Sequence, residues 1–253
     1  YNLPCMLPMM NNVRLLLLSF CGWCLVSCGV NRDAQLQQAV TFAFGDWCSA
    51  DVRRLLDEGA EVNTRDEKGY TPLLNAYGIG CGMFEDDPQH EEAVASLNQL
   101  LAHGADVHCR TPEGHHALDL ALRHFNNEPV VAILREQGLT ATRPEYELVW
   151  HAMHNHTDSV RRLLAVGVSP NACSVDGLTA LWATMPMLNL KEHSAESMDL
   201  LLAAGADVSV MSDGHSLLDR AMLFAGEEME PRYLDILRRY GAVSVNPPDW
   251  VHE

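Results

Sequence analysis

Leu200-Leu-Leu-Ala-Ala-Gly-Ala-Asp-Val208 decides the fold, because related versions of it recur along the chain. In six versions a leucine lies four residues before a glycine, and an apolar residue lies seven before it. Apolar residues three apart line one buried face of a helix, and glycine takes the left-handed conformation that ends it. Six copies predict a repeat protein. The six glycines are Gly59, Gly104, Gly138, Gly167, Gly205 and Gly241.

A turn and a new helix follow most of these glycines. Asp66-Glu-Lys-Gly-Tyr-Thr-Pro-Leu-Leu-Asn-Ala76 is one example, and Asp176-Gly-Leu-Thr-Ala-Leu-Trp-Ala183 is another. These segments resemble the ankyrin repeat, whose signature is a β-turn, Thr-Pro-Leu-His-x-Ala, two helices and Gly-Ala-Asp. Leu74 stands where that family usually has His. The resemblance implies an all-α ankyrin-repeat solenoid of about six helix-turn-helix repeats with short β-hairpin fingers.

The start of the chain has the pattern of an export signal. Arg14 precedes the uncharged apolar run Leu15–Val26, which is shorter than the ~20 residues that cross a bilayer core as a helix. Leu25-Val26-Ser27-Cys28 resembles the lipobox of bacterial lipoproteins, in which cleavage leaves a lipidated cysteine. The resemblance implies lipid attachment at Cys28. An ordinary secretory signal or an uncleaved anchor is the alternative.

These patterns divide the chain and predict its location. Gly29 stands where an Asp would imply retention at the inner membrane, so the resemblance implies an outer-membrane lipoprotein facing the periplasm. A secreted or soluble periplasmic protein is the alternative. The predicted divisions are a signal peptide over 1–27, a tether over 28–32, an ankyrin repeat domain over 33–245 and a C-terminal tail over 246–253.

The charge of the chain constrains its partners. It has 17 basic and 34 acidic residues, a formal net charge of −17. This excess disfavours nucleic acid and anionic lipid surfaces, whose phosphates would be repelled. We therefore expect a basic or neutral protein partner, and membrane contact only through the lipid anchor.

Whether the cysteines after Cys28 form disulfides depends on the compartment that the export signal predicts. Disulfides persist in an oxidising periplasm. We expect Cys48 and Cys81 in the inter-helix loops of neighbouring repeats, where they form a possible disulfide; two free buried thiols are the alternative. Cys109 and Cys173 fall in fingers two repeats apart, beyond the Cα separation of ~7 Å that a bridge allows.

Several local features complete the predicted repeats. Asp33 and Asp51 are expected to cap the first two helices, and Gln35, Gln37 and Gln38 to form a polar outer face. The glycine-rich segment 78–90 predicts an irregular inter-helix loop. Pro144 suits the first turn of a helix.

Repeat four contains a group of histidines. His151 and His154 lie three residues apart, so they would share a helix face and a metal pair is conceivable. Polar helix ends are common in ankyrin repeats, and we predict no metal site.

Catalytic motifs are missing from the sequence after Cys28. It has no Gly-x-Ser-x-Gly elbow, no phosphate-binding loop, no His-Glu-x-x-His and no Cys-x-x-Cys. Triads are recognised by geometry, so the pattern disfavours an enzyme without proving the point. We predict a non-catalytic protein without a cofactor.

The remaining function is protein binding through the concave face, which finger tips and first helices form in ankyrin proteins. The main hypothesis is a lipid-anchored scaffold or adaptor. The alternatives are an immunity or inhibitor protein that neutralises a secreted toxin or enzyme, and a structural protein without a specific partner. Each aromatic residue on this face has packing between repeats as its alternative role. The predicted contact residues are Arg65, Glu67, Lys68, Tyr70, Tyr77, Arg110, Glu113, His115, Asp176, Trp182, Met211, Asp213 and His215.

Overall fold

Six helix pairs follow one another in the part of the chain that the structure, a computed structural model, describes. That part comprises residues 31–41, 49–76, 88–124, 127–185, 195–212, 214–224 and 231–246. The helices are α1 Arg32–Thr41, α2 Ser49–Asp57, α3 Pro72–Ala76, α4 Pro88–Ala102, α5 Ala117–Ala121, α6 Glu128–Glu136, α7 Pro144–Met153, α8 Thr157–Ala165, α9 Ala180–Ala183, α10 Glu196–Ala203, α11 Leu217–Phe224 and α12 Pro231–Arg239. None of these helices is long and apolar enough to cross a membrane.

Neighbouring pairs pack side by side. Among the first helices of the pairs, α1 contacts α3, α3 contacts α5, and α7 contacts α9. Among the second helices, α2 contacts α4, α4 contacts α6, and α8 contacts α10. Two apolar cores result, one from Leu36 to Trp150 and one from Leu148 to Leu237. The mostly helical, repeated architecture predicted from the sequence is therefore present.

Helix α7 contributes to both cores. Tyr146 and Trp150 pack into the first core, whereas Leu148 and Ala152 pack into the second. All four side chains are buried. A helix that is apolar around most of its circumference is typical of a protein interior. The helix begins at Pro144, as predicted, because proline at this position has no N–H that needs a partner within the helix.

The second helix of each pair ends in the same motif. In the first pair, the Gly59 N–H donates to the carbonyl of Leu56 at 3.0 Å, and the Ala60 N–H donates to that of Leu55 at 2.9 Å. Gly59 has φ +91°, which an L side chain rarely adopts. The same two bonds close the other five second helices. The repeated leucine thus supplies the carbonyl that ends its helix and, in five of the six copies, a buried side chain.

The predicted β-hairpin fingers are formed only in part. Within the described residues, the last finger alone has two paired strands, β1 Met211–Ser212 and β2 His215–Ser216. The preceding finger has a single bridge between Cys173 and Thr179. The first two fingers are tight turns without strands. Each turn is closed by its own backbone and side-chain hydrogen bonds, so longer strands are unnecessary.

Two predicted helix caps are wrong. The first helix starts at Arg32, and the side chain of Asn31 accepts from the Asp33 N–H at 3.1 Å, so Asp33 lies inside the first turn. The second helix starts at Ser49 and not after Asp51. The Ser49 N–H donates to Glu92 Oε2 at 2.6 Å, a contact between neighbouring pairs that a local sequence pattern does not reveal.

Gln37 is buried and does not lie on a polar outer face as predicted. Its Nε2 donates to the carbonyls of Thr64 at 2.9 Å and Tyr70 at 3.0 Å. Its Oε1 accepts from Asn75 Nδ2 at 2.9 Å. Burial of this amide is tolerated because the first finger and the helix that follows it supply these hydrogen-bond partners. The side chain therefore connects the first helix to the first finger.

The predicted loop over 78–90 ends earlier than expected. Helix α4 begins at Pro88, so the last three residues of that segment are helical. Proline is compatible with the first turn of a helix. The rest of the segment, Cys28, Tyr77, Asp213 and the predicted Cys48–Cys81 bridge lie outside the described residues. Cys109 and Cys173 are both free thiols.

Two buried aspartates hold the chain that follows their own helix pairs. Asp119 accepts from the Thr142 N–H at 2.8 Å and from the Thr142 hydroxyl at 2.9 Å. Asp219 accepts from the Ser244 hydroxyl at 2.5 Å and from the Asn246 N–H at 3.0 Å. Burial alone would raise the pKa of Asp219, but its hydrogen bonds together hold that pKa well below the ordinary value.

Asp219→Asn is expected to lower the free energy of unfolding at pH 7 by about 3 kcal/mol, because a buried amide replaces a multiply bonded carboxylate. The folded-state pKa is lowered, so this contribution is complete above the unfolded-state pKa of about 3.9 and is lost as pH falls below it. Urea unfolding between pH 7 and pH 3 should show the native and variant curves converging at acidic pH. Asp235→Asn, on an exposed side chain, is the control. A difference that stays constant with pH would contradict this role.

Candidate partner-binding surface

The first three fingers share one backbone geometry, and the last is a two-strand hairpin. In the first, the Asp66 N–H donates to the Tyr70 carbonyl and the Gly69 N–H donates to the Asp66 carbonyl, both at 2.9 Å. The second and third fingers repeat these two bonds, starting at Thr111 and Ser174. In the last finger, Met211 pairs with Ser216 across the hairpin. Each turn therefore presents two or three residues at its tip in a fixed conformation.

The first side chain of a turn stabilises that turn. Asp66 Oδ1 accepts from the Lys68 N–H at 2.9 Å and the Tyr70 N–H at 2.8 Å. Thr111 Oγ1 accepts from the His115 N–H at 3.3 Å, and Ser174 Oγ accepts from the Leu178 N–H at 3.1 Å. Short polar side chains that bond nearby backbone N–H groups are typical of turns. These three residues therefore have structural roles.

Arg65 and Arg110 also bind finger backbones. The guanidinium of Arg65 donates to the carbonyl of Gly69 in its own finger and to the carbonyl of Arg110 in the next finger, the latter at 3.0 Å. Arg110 Nη1 donates to the Gly114 carbonyl at 2.8 Å. Both were predicted to contact a partner. In the structure their cationic groups link and close the fingers.

The finger tips carry the exposed charges. Glu67 and Lys68 are exposed in the first finger, Glu113 in the second and Asp176 in the third. Asp176 also accepts from the Ser174 hydroxyl. Three of these four tip side chains are carboxylates, while the exposed Arg65 and Arg110 bind finger carbonyls and keep their positive charge. The structure thus places most of the predicted charged contact residues at finger turns, with one repeat that has no such turn between the second and third fingers.

The predicted aromatic contacts are only partly accessible. Tyr70 is half-buried against the first core, and burial is the main cause that raises its pKa. His115 is half-buried and packs edge-on against the buried Tyr146, with ring centroids 5.8 Å apart. Trp182 is half-buried, and its Nε1–H donates to the Val210 carbonyl at 3.2 Å. Packing between neighbouring repeats therefore accounts for much of their surface.

The last finger adds an apolar contact residue. Met211 is 42% exposed at the start of the hairpin. His215 is half-buried on the second strand, where it pairs with Ser212, and its buried Nδ1 has no hydrogen-bond partner among the described residues. Methionine adapts its shape to different partners. Met211 is therefore the apolar member of the predicted set that the structure leaves most available.

The histidines of repeat four do not form the His151–His154 pair that the sequence made conceivable. Helix α7 ends at Met153, and His154 Nδ1 is 2.8 Å from the Trp150 carbonyl. His151 instead meets His156, with 3.1 Å between their Nδ1 atoms. Among the residues that the structure describes, no group of three or more His, Cys, Asp or Glu side chains has metal-binding geometry.

Trp150 lies at the centre of this histidine group. Its ring is 4.5 Å from that of His154 and 5.3 Å from that of His156, measured between centroids. The Arg135 guanidinium lies 5.0 Å from the Trp150 ring centre. Burial, followed by the positive charge of neighbours that include Arg135, lowers the pKa of His151 to about 4. His151 is therefore neutral at pH 7.

Another half-buried histidine, His124, lies near the third finger. Arg123 Nε donates to His124 Nε2 at 2.8 Å. Burial and the charge of Arg123 lower the pKa of His124 to about 4, although Asp176 acts in the opposite direction. The sequence analysis did not identify this pair. Adjacent Arg and His residues in a sequence do not by themselves indicate that their side chains form a hydrogen bond.

The chain is similar to ankyrin repeat and SOCS box protein 16 of Homo sapiens, with 32% identity over 152 residues. The protein of the same name from Mus musculus is 30% identical over 152 residues. This homology supports ankyrin repeats in the chain. The alignments cover 58% of the chain and 29% of each relative, so less than a third of either relative is matched. No protein-family model matches the chain.

His124 is expected to make the ankyrin repeats less stable at acidic pH. Its folded-state pKa is lowered from 6.5 to about 4, so its neutral form stabilises the fold above pH 6.5. This stability is lost as pH falls towards 4, because the unfolded chain binds a proton that the folded chain excludes. His124→Gln should reduce the fall in melting temperature between pH 7.5 and pH 4.5. His108→Gln, at an exposed side chain, is the control. Equal slopes for the native protein and His124→Gln would refute the assignment.

Proposed function

We propose that the chain is a non-catalytic scaffold or adaptor that binds a protein partner through its ankyrin fingers. The binding surface, called the finger surface here, consists of Glu67, Lys68, Glu113, Asp176 and Met211. The observation that carries the proposal is the combination of exposed tips with turns fixed by backbone and side-chain bonds. A fixed turn loses little conformational entropy when a partner binds. Homology to ankyrin repeat proteins supports the same role.

The finger surface favours a basic or neutral partner. Glu67, Glu113 and Asp176 are exposed carboxylates at the tips, whereas the exposed cations of these fingers are Lys68 and the carbonyl-bound Arg65 and Arg110. The full chain has a formal net charge of −17. A field of one sign steers an oppositely charged protein and raises its association rate. Met211 adds an apolar contact that does not depend on salt.

Location in the bacterial envelope is part of the proposal and rests on the sequence. The apolar run Leu15–Val26 and the lipobox-like Leu25-Val26-Ser27-Cys28 support export and lipid attachment at Cys28. The anchored protein would hold its partner at the periplasmic face of the outer membrane. An immunity or inhibitor protein would use the same finger surface, and its captured partner would be a secreted toxin or enzyme.

Reversing the charge of the finger surface should weaken partner binding. The triple variant Glu67→Lys, Glu113→Lys, Asp176→Lys is expected to lower the association rate about tenfold or more at low salt, because it removes attraction for a basic surface and adds repulsion. Surface plasmon resonance with the captured partner measures this at two salt concentrations. The difference from the native protein should shrink at high salt.

A matched variant separates the finger surface from overall charge. Glu91→Lys, Glu136→Lys, Asp235→Lys changes the net charge by the same amount at exposed positions on second helices. Its association rate should remain within about threefold of native, since screening weakens charges beyond ~10 Å. Equal losses for the two triple variants would show that the finger surface is not the site.

Cys28→Ala tests the proposed location. Native protein expressed in a bacterial host should partition into the outer-membrane fraction, since multiple acyl chains give stable anchoring. The variant lacks the thiol that would be acylated and should leave that fraction. Identical fractionation of the two proteins would refute lipid attachment at Cys28 without affecting the proposal for the finger surface.

A further inference from the structure

The connection between α7 and α8 holds two histidine rings together. Asn155 has φ +51°, a left-handed conformation that Asn tolerates better than most residues. The His156 N–H donates to the His151 carbonyl at 2.9 Å, and the Ser197 hydroxyl, from α10, donates to Asn155 Oδ1 at 2.8 Å. The His151 and His156 Nδ1 atoms are 3.1 Å apart, which is the distance of an N–H···N hydrogen bond. A side-chain bond between the rings therefore accompanies the backbone bond that closes this connection.

The bond between the rings depends on the number of protons that they carry. In a neutral pair, one Nδ1–H donates and the other Nδ1 accepts. A first added proton can go to Nε2 of the donor ring, and it leaves the bond in place. A second added proton must go to the accepting Nδ1, so two N–H groups and two positive charges then face each other across 3.1 Å. Double protonation therefore breaks the bond.

Two carboxylates lie near the far sides of the rings. Glu147 Oε2 is 3.7 Å from His151 Nε2, and Glu128 Oε1 is 3.9 Å from His156 Nε2. Arg135 on α6 donates to Glu147, so that carboxylate already has a cationic partner. Glu128 is 57% exposed, so water screens its charge. The two carboxylates therefore offset only part of the charge that a doubly protonated pair would carry.

The carboxylates of the other elements packed nearby are paired elsewhere. On α8 and α10, Asp158 and Glu196 pair with Arg161 at 2.8 Å and 3.4 Å. Asp199, also on α10, pairs with Arg239 at 3.6 Å. Helix α9 has no titratable side chain. Among the described residues of these elements, no further carboxylate is placed to stabilise added positive charge on the rings.

Burial and positive neighbours both oppose protonation of the pair. Burial is the main cause that lowers the pKa of His151 to about 4. Burial also lowers the pKa of His154, whose ring lies against the buried Trp150. The positive charges that add to the effect at His151 come from His156, Arg135, His154 and Arg162.

We propose that His151 and His156 form a pH sensor, in which acidification protonates both rings, breaks the bond between them and opens the connection between α7 and α8. The opening is local, because Leu148 of α7 and Val160 of α8 remain packed in the second core. His156 is the ring that moves, since 42% of its side chain is already exposed. Histidine suits this role because its charge changes near physiological pH. The sensor does not depend on the finger surface or its partner.

The response to pH has a definite sign. The pKa of His151 is lowered in the closed connection, so the stability that the bond contributes is complete above the unfolded-state pKa of about 6.5. That stability is lost as pH falls towards 4. The open connection accepts a proton that the closed connection excludes, and acidification therefore favours the open form.

Hydrogen–deuterium exchange of the full chain at pH 7.5 and pH 4.5 tests the sensor, after correction for the effect of pH on intrinsic exchange. The amides of residues 154–156 donate to carbonyls of α7 and should exchange about tenfold or more faster at pH 4.5. The amides of Gly205 and Ala206, which close α10, should change far less. Equal acceleration at those two amides would indicate general unfolding and overturn the sensor.

His156→Gln removes one titratable ring and should abolish most of this response, so that the connection exchanges at about the same corrected rate at both pH values. His154→Gln is the matched control, because its Nδ1 lies 2.8 Å from the Trp150 carbonyl and not from a second histidine. Its response should stay within about threefold of native. Equal loss of the response in the two variants would show that buried histidines in general, and not the pair, sense pH.

Imidazole nitrogen spectra of the native protein keep the proposal testable if a variant fails to fold. At pH 7.5 one Nδ1 of the pair should carry a proton and the other should accept it, whereas in acid both should be protonated. Faster exchange should accompany the second of these protonation steps. Two results would overturn the sensor: an N–H···N proton between the rings that persists at pH 4.5, or a His156 amide whose corrected exchange is the same at both pH values.

Discussion

The short first helices make the structure depend on contacts between neighbouring pairs. Helix α9 has four residues, and α3 and α5 have five each, so none could stay helical alone in water. Each is stabilised by an apolar face that its neighbours cover. Helix α7 is the clearest case, since Trp150 packs towards one core and Leu148 towards the other. Loss of that helix would expose both cores.

Polar side chains fix how successive pairs are joined. Asn63 Oδ1 accepts from the Asp106 N–H at 2.8 Å, and Asn171 Oδ1 accepts from the Asp207 N–H at the same distance. After the third and sixth pairs, Asp119 and Asp219 hold the returning chain instead. Each link satisfies backbone groups that regular secondary structure leaves unpaired. Fixed joints of this kind would hold separate finger tips in constant positions, as the proposed binding surface requires.

The repeated apolar pattern was predictable because it depends on local spacing. Of the six leucines placed four residues before the reference glycines, five are buried, whereas Leu163 is half-buried. All six glycines have positive φ and close their helices as the sequence indicated. The cap formed by Glu92 on Ser49 could not be predicted, since the two residues are 43 positions apart. Gln37 was misassigned for the same reason, because its partners belong to another unit.

The candidate site was predictable in location but less so in the role of each residue. Charged residues at turn tips were expected, and Glu67, Glu113 and Asp176 are exposed there. Arg65 and Arg110 resemble contact residues in sequence, yet each spans a finger to reach carbonyl oxygens. The pairing of His151 with His156 depends on the left-handed Asn155, a conformation that a histidine spacing rule does not include.

Hydrogen–deuterium exchange of the full chain, with and without its captured partner, tests the central claim most directly. The claim is that a protein partner occupies the finger surface. The account predicts slower exchange at the amides of residues 65–70, 110–115 and 174–178, with unchanged exchange in the second helices. Protection confined to the second helices would contradict the account.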